Sequence, residues 1–243
     1  MDFAALLREE RRKAAATRHH TANAREAQIN EKTIVPDVRD AAVDLAPLQF
    51  ARRLPVDLEL SRVCKSIISS VHYIPDWLSC DEERAILDRV AAAPSAAWVQ
   101  LKHRRLQVHG GTVTNKYTPA PLPSWLQALS TSFVEMGLFD TAHTPNHALI
   151  NEYRPGDYIL PHEDGPLYHP LVAIVSLGAN AVMSFKRHRH LVDHASSETI
   201  PIRVNRRSLI VFTDQAYTEH LHSIDDVAPA TRVSLTIRHA LSL

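Results

Sequence analysis

His162-Glu163-Asp164 sets an imidazole and a carboxylate two residues apart, after the strand-like YILP and just before Gly165. In extended chain, residues i and i+2 point the same way, so both side chains can meet one metal ion. His222 in LHSI, ahead of the Asp225-Asp226 turn, offers a third imidazole. Two neutral imidazoles and one carboxylate suit Fe(II), and three ligands on one face of an octahedron leave room for a bidentate 2-oxo acid and dioxygen. The far carboxylate of such an acid needs an anchor. Arg232 and Arg238 of RVSLTIR share one face of a strand with Ser234 and Thr236, and the guanidinium fork is the natural bidentate partner of a carboxylate. Upstream, Asn151 and Tyr153 of INEY alternate onto one face and can donate to carboxylate oxygens. Singly, each residue reads as an ordinary core histidine, surface ion-pair arginine or packing residue, and His-x-Asp is common by chance in a chain with 15 histidines. Their joint order on successive strands is what marks them.

The elements that must hold these residues follow from periodicity and punctuation. VHYIPDWLS, from Val71, reads as a strand entering a turn. Ser79 caps DEERAILDRVAAAP, whose Ile86, Leu87 and Val90 form an apolar stripe, and the helix ends near Pro94. WVQLKHRRLQVHGG alternates as strands do, and PLPSWLQALSTSFVEMG reads as a helix with Leu126, Leu129 and Phe133 on one side. The last hundred residues hold ALINEYR, YILPHEDG, LVAIVSLG, AVMSFKR, IPIRV, SLIVF, AYTEHLHSI and TRVSLTIRHA, about eight short strands. That pattern implies an α+β, mainly β fold, a double-sheet jelly roll with helices on one face. HLVDHASSETIPI is the one longer polar connection among these strands, and the basic, histidine-rich KRHRH precedes it.

Residues 1–62, rich in Ala, Arg and Glu, read as a flexible or partly helical tail in which Phe3, Leu6 and Leu7 can form one short amphipathic helix. Six glycines leave little material for phosphate-cradling loops, and neither GxxxxGK[ST] nor GxGxxG occurs. Lys and Arg balance Asp and Glu at 27 each, so any nucleic-acid surface must be local. Cys64 and Cys80 are too few for a disulfide framework. No apolar run of about 18 residues appears, and the expectation is a non-secreted, soluble chain with no membrane partner.

NEYRPGDYILPHEDGP and RVSLTIR resemble the motifs of the AlkB family of Fe(II)- and 2-oxoglutarate-dependent dioxygenases. PDWLSCDEERAILDRV, WVQLKHRRLQVHGG, LPSWL and PHEDGPLYHP are similar to its sixth eukaryotic subfamily. The likeness spans roughly residues 70–240. It implies a double-stranded β-helix, iron on His162, Asp164 and His222, and 2-oxoglutarate held by Asn151, Tyr153, Arg232 and Arg238, with O2 as co-substrate. His220 would point to the same face as His222, and the LHSI context, similar to the family's ligand strand, favours His222. Residues 63–243 then form the oxygenase domain, with 63–144 as helical support and substrate lid and 145–241 as the iron and 2-oxoglutarate core.

The resemblance further implies oxidation of an N-alkyl group on a nucleic-acid base, its release as an aldehyde, and conversion of 2-oxoglutarate to succinate. Pro166, two after Asp164, stands where the founding bacterial enzyme carries an acidic base-contacting residue. Substrate contacts are expected from the lid, at Arg104, Arg105, Gln107 and His109, with His109 or Tyr168 stacking on a base. Two other functions fit the same residues: an oxygenase acting on a protein, and a binding module that keeps its iron site for stability. A protein partner on the tail, a monomeric state, and residence in both nucleus and cytoplasm complete the expectations.

Overall fold

The computed structural model describes residues 48–242 apart from 52, 64–67, 189, 190, 192–197 and 228, all within one compact unit, Ile34–Leu243. The Phe3–Leu7 helix and most of the HLVDHASSETIPI connection lie outside the described residues. In chain order the elements are β1 (Val71–Ile74), α1 (Cys80–Ala92), a 3-10 turn (Ser95–Ala97), β2 (Val99–Gln100), β3 (Arg105–His109), β4 (Gly111–Val113), β5 (Tyr117–Pro119), α2 (Ser124–Glu135) and β6 (His147–Tyr153). There follow β7 (Ile159–His162), β8 (Leu171–Leu177), β9 (Ala181–Arg187), β10 (Thr199–Val204), β11 (Leu209–Thr213), α3 (Asp214–Thr218), β12 (His220–Val227) and β13 (Arg232–Arg238). β6 to β13 are the eight strands that the turn spacing predicts.

They form two facing antiparallel sheets. The larger runs β1-β11-β8-β13-β6-β3-β2, the smaller β10-β9-β12-β7, and β4 pairs with β5 as a hairpin. Alternation along β13 splits its side chains between two environments. Val233, Leu235 and Ile237 join α1 and α2 in a core on one side of the large sheet, with Ile86, Val90, Leu126, Leu129 and Phe133. Arg232, Ser234, Thr236 and Arg238 take the opposite, sheet-facing side. There Val172, Ile174, Met183, Phe185, Ile210, Phe212 and Ile224 fill the space between the sheets.

Three expectations change. AYT is not strand: α3 covers it, its Ala216 N–H bonds the Ser70 hydroxyl at 2.9 Å, and the strand begins only at His220. Residues 48–62 are not free tail. Leu48, Phe50, Val56 and Leu58 pack on the helix-side core, and Arg53 pairs with Glu82 at 2.6 Å while lying 4.3 Å over Trp77. This segment is an irregular strap: Leu48, Phe50, Leu54, Val56, Leu58 and Leu60 alternate as a strand would, yet the described residues form no strand here, and Leu54 and Leu60 stay exposed. The 63–144 segment, finally, supplies β1, β2 and β3 to the large sheet besides both supporting helices.

The capping of α1 ties the strap down. Ser79 Oγ accepts from the Glu82 N–H, and Glu82 in return accepts from the backbone N–H groups of Ser79 and Ala51 and from Arg53. Burial raises the Glu82 carboxyl pKa, but these donors outweigh it, and the net displacement is downward. A depressed carboxylate stabilises the fold above its unfolded pKa, and the contribution is lost as pH falls through the folded value. Glu82→Gln is expected to cost about 1–2 kcal/mol near neutrality. In urea titrations at several pH values, the gap between variant and wild type should close on acidification.

Candidate metal centre and 2-oxo acid pocket

β7 and β12 bring His162 directly opposite His222, with ring centroids 4.2 Å apart. Asp164, just beyond β7, completes a group in which one ligand atom from each residue lies within 4.8 Å of the others. His162 Nδ1 sits 2.9 Å from the Leu160 carbonyl, to which its N–H donates, leaving the Nε2 lone pair for a metal. Asp164 Oδ1 accepts from Arg238 Nη1, whereas Oδ2 is buried with no hydrogen-bond partner, 3.9 Å from His222 Nε2. Burial, aided by the neighbouring His222, pushes the His162 imidazole down to about 3, and burial lowers His222 too. Burial works against ionisation of Asp164, but the charge of Arg238 prevails and the net shift is downward. Two neutral imidazoles thus face one carboxylate whose remaining oxygen lacks a partner, a donor set that suits Fe(II). His220 instead bonds the Gln215 carbonyl through Nδ1 at 2.9 Å, and among the described residues it is not part of the cluster.

The pocket beside this group is set by register. β13 lies against β6 so that Arg232 opposes Tyr153, Ser234 opposes Asn151 and Arg238 opposes His147. Arg232 is completely buried; Nη2 donates to Ser176 Oγ at 2.9 Å, while Nε and Nη1 have no hydrogen-bond partner. Its guanidinium lies 5.4 Å from the Tyr153 ring, and burial lowers its pKa. A buried cation with two unmatched nitrogens is costly unless an anion completes it. Arg238, equally buried, lies 3.9 Å over the Tyr168 ring while holding Asp164. The structure therefore gathers Asn151, Tyr153, Arg232 and Arg238 on one interior face next to the His-Asp-His group.

The expected lid residues divide by strand parity. Arg104 turns inward, and its Nε donates to Asn151 Oδ1 at 3.0 Å. Arg105, Gln107 and His109 take the helix-facing side. Arg105 makes two 2.7 Å bonds to Glu152 and lies 4.0 Å over Trp98. Gln107 Nε2 donates to the Val90 carbonyl of α1 at 3.3 Å, and His109 Nε2 lies 3.0 Å from Gln107 Oε1. The sheet itself stands between these three and the metal group, so they do not form its lid. Tyr168 is buried against Arg238, its hydroxyl 3.4 Å from His147 Nδ1, rather than presented as an open stacking surface.

Two site neighbours escaped the sequence reading. Ser176 is the one polar residue in LVAIVSL, and that oddity was its signal. His147 lies four residues before Asn151 and so on the same face of β6; burial, with Arg238 beside it, pushes its pKa down to about 3.

With that geometry in view, the chain belongs to the 2OG-Fe(II) oxygenase superfamily, whose family model matches residues 96–238. Within it the chain is AlkB-like. It is 36% identical over 214 residues to the zebrafish (Danio rerio) "Probable RNA/DNA demethylase ALKBH6", covering 76% of this chain and 91% of that protein. It is 26% identical over 189 residues to the Xenopus tropicalis tRNA (carboxymethyluridine(34)-5-O)-methyltransferase alkbh8, covering 70% of this chain but only 29% of the relative. The fold is shared with the solved structure of OsALKBH1, at TM-score 0.55 and 12% identity, over 70% of this chain and 98% of that one. It is shared also with a 2OG-Fe(II) oxygenase family oxidoreductase from Burkholderia pseudomallei, at TM-score 0.53 and 16% identity, over 81% and 95%. The protein is thus an oxidoreductase with Fe(II) and 2-oxoglutarate as cofactors and O2 as co-substrate.

Arg232→Met tests the carboxylate pocket. Replacing a half-matched buried cation by an apolar side chain is expected to leave the melting temperature of the ligand-free protein unchanged or higher. Added to the Fe(II)-loaded protein at about a hundredfold excess over Kd, 2-oxoglutarate should contribute about 2.7 kcal/mol further to the wild type and almost nothing further to the variant. Equal gains in the two proteins would exclude Arg232 as the carboxylate's partner.

Proposed function

We propose that the protein oxidatively removes alkyl groups from bases of DNA or RNA, with His162, Asp164 and His222 holding Fe(II). In this reading Asn151, Tyr153, Arg232 and Arg238 hold 2-oxoglutarate. The observation that carries the site assignment is the pair of buried, unmatched groups: Asp164 Oδ2 in the His-Asp-His cluster, and the Arg232 nitrogens on the neighbouring interior face. The substrate class is supported by the 36% identity to a relative described as a probable RNA/DNA demethylase.

Bound Fe(II) supplies dioxygen activation coupled to decarboxylation of 2-oxoglutarate to succinate. The protein's own part is orientation and charge. His162 and His222 stay neutral because their burial opposes protonation, so their lone pairs are available to the metal. Asp164 stays ionised because Arg238 faces it. Arg232 offers two donors to the far carboxylate of the 2-oxo acid, and Phe212 and Phe185, with ring centroids 4.9 and 6.3 Å from that of His222, limit access of water. The same reading includes a monomeric protein resident in nucleus and cytoplasm, with a protein partner engaged through the N-terminal tail.

Anaerobic addition of Fe(II) and 2-oxoglutarate should give a visible charge-transfer band that His162→Ala abolishes and His220→Ala retains. On admission of air, succinate should rise severalfold with N-methylated oligonucleotides over unmethylated ones. A band without that stimulation would overturn the nucleic-acid assignment and favour a protein substrate or a binding role. Absence of a band would overturn the assignment of the metal site.

A further inference from the structure

Arg104 enters the interior from the tip of the β2–β3 hairpin. Its carbonyl accepts from the Leu101 N–H at 2.9 Å and from Gln100 Nε2 at 3.2 Å, which closes the turn. At that tip His103 stacks on Tyr158, centroids 4.1 Å apart, and its Nε2 lies 2.8 Å from the Tyr158 hydroxyl. Tyr158 immediately precedes β7, the strand of His162. The hairpin is therefore fastened to the segment bearing the first metal-site residue while its next residue, Arg104, reaches Asn151 on β6.

The Arg104–Asn151 bond removes an ambiguity. An asparagine amide has a donor end and an acceptor end of nearly equal shape, and its neighbours decide which way it points. A guanidinium has five donors and no acceptor, so the atom facing Arg104 Nε must be Asn151 Oδ1. The amide nitrogen then points away from Arg104, free to donate to a carboxylate. With Arg104 absent, both amide orientations become accessible, and one of them presents an oxygen to the anion.

We infer that Arg104 is a positioning residue for the 2-oxo acid: it fixes the Asn151 amide so that Nδ2–H2 meets the carboxylate, and the His103–Tyr158 clasp holds it there. The inference rests on the assignment of Asn151 to the 2-oxoglutarate pocket, and it reassigns Arg104 from substrate contact to cofactor binding.

The test is an anaerobic titration of the Fe(II)-loaded protein with 2-oxoglutarate, read by the charge-transfer band, for wild type, Arg104→Met, Arg104→Lys, Asn151→Ala and the Arg104→Met/Asn151→Ala double variant. Circular dichroism melts establish that each is folded, and Arg104→Gln replaces Arg104→Met if the latter is not. Arg104→Met is expected to weaken binding about tenfold, the scale of one charge-assisted hydrogen bond. Arg104→Lys, which keeps a charge and a donor, should recover part of that loss. In the Asn151→Ala background the Arg104 change should add less than about twofold, because residues that act through one another are not additive. Full additivity would mean that Arg104 touches the ligand itself, and an unchanged Kd in Arg104→Met would mean it has no part; either overturns the inference. If Asn151→Ala alone binds normally, the pocket assignment fails first, and a wild type without a band marks failure of the metal site instead.

Discussion

The contact between Arg238 and Asp164 is the constraint on which the rest of the site depends. Either charge alone between two β-sheets would carry a penalty of several kcal/mol. Together they stay ionised, and each is committed in one direction. Asp164 gives Oδ1 to the arginine and keeps Oδ2 for a metal; Arg238 is pinned between that carboxylate and the Tyr168 ring. The pair also spans the architecture, since β13 belongs to the large sheet and the turn after β7 to the small one. The contact that fixes the carboxylate of the metal group therefore also ties the two sheets together.

Much of this was legible because strand periodicity is a strong constraint. Once RVSLTIR and INEY were read as strands, alternation put Arg232 with Arg238 and Asn151 with Tyr153, and pairing of those strands brought the four together. His162 and Asp164 needed only the same two-residue logic and a strand end. The choice between His220 and His222 was different in kind. Both share a face, and what separates them is the Gln215 carbonyl, presented by a five-residue helix whose last three residues the sequence reads as strand.

The lid residues show where local reading stops. Arg104, Arg105, Gln107 and His109 look alike as a basic, polar run, yet a sheet passes through them and divides the first from the other three. Which parity faces the interior is decided by the partner strand, since Leu106 opposes Asn151 and Arg105 opposes Glu152, and a single strand carries no record of its partner. The strap at 48–62 was missed for a related reason. Its Leu48, Phe50, Val56 and Leu58 alternate as in a strand, but their place is set by the helix-side core they pack on and not by pairing in a sheet.

The large sheet is also a partition. Behind it Val233, Leu235 and Ile237 join the helix-side hydrophobic core, and in front of it Arg232, Ser234, Thr236 and Arg238 face the space between the sheets. Seven consecutive residues thus divide between two environments. Volume-conserving exchanges among the helix-side aliphatic residues therefore fall on the face of the strand turned away from the metal group, and changes on the opposite face leave the scaffold's larger core in place.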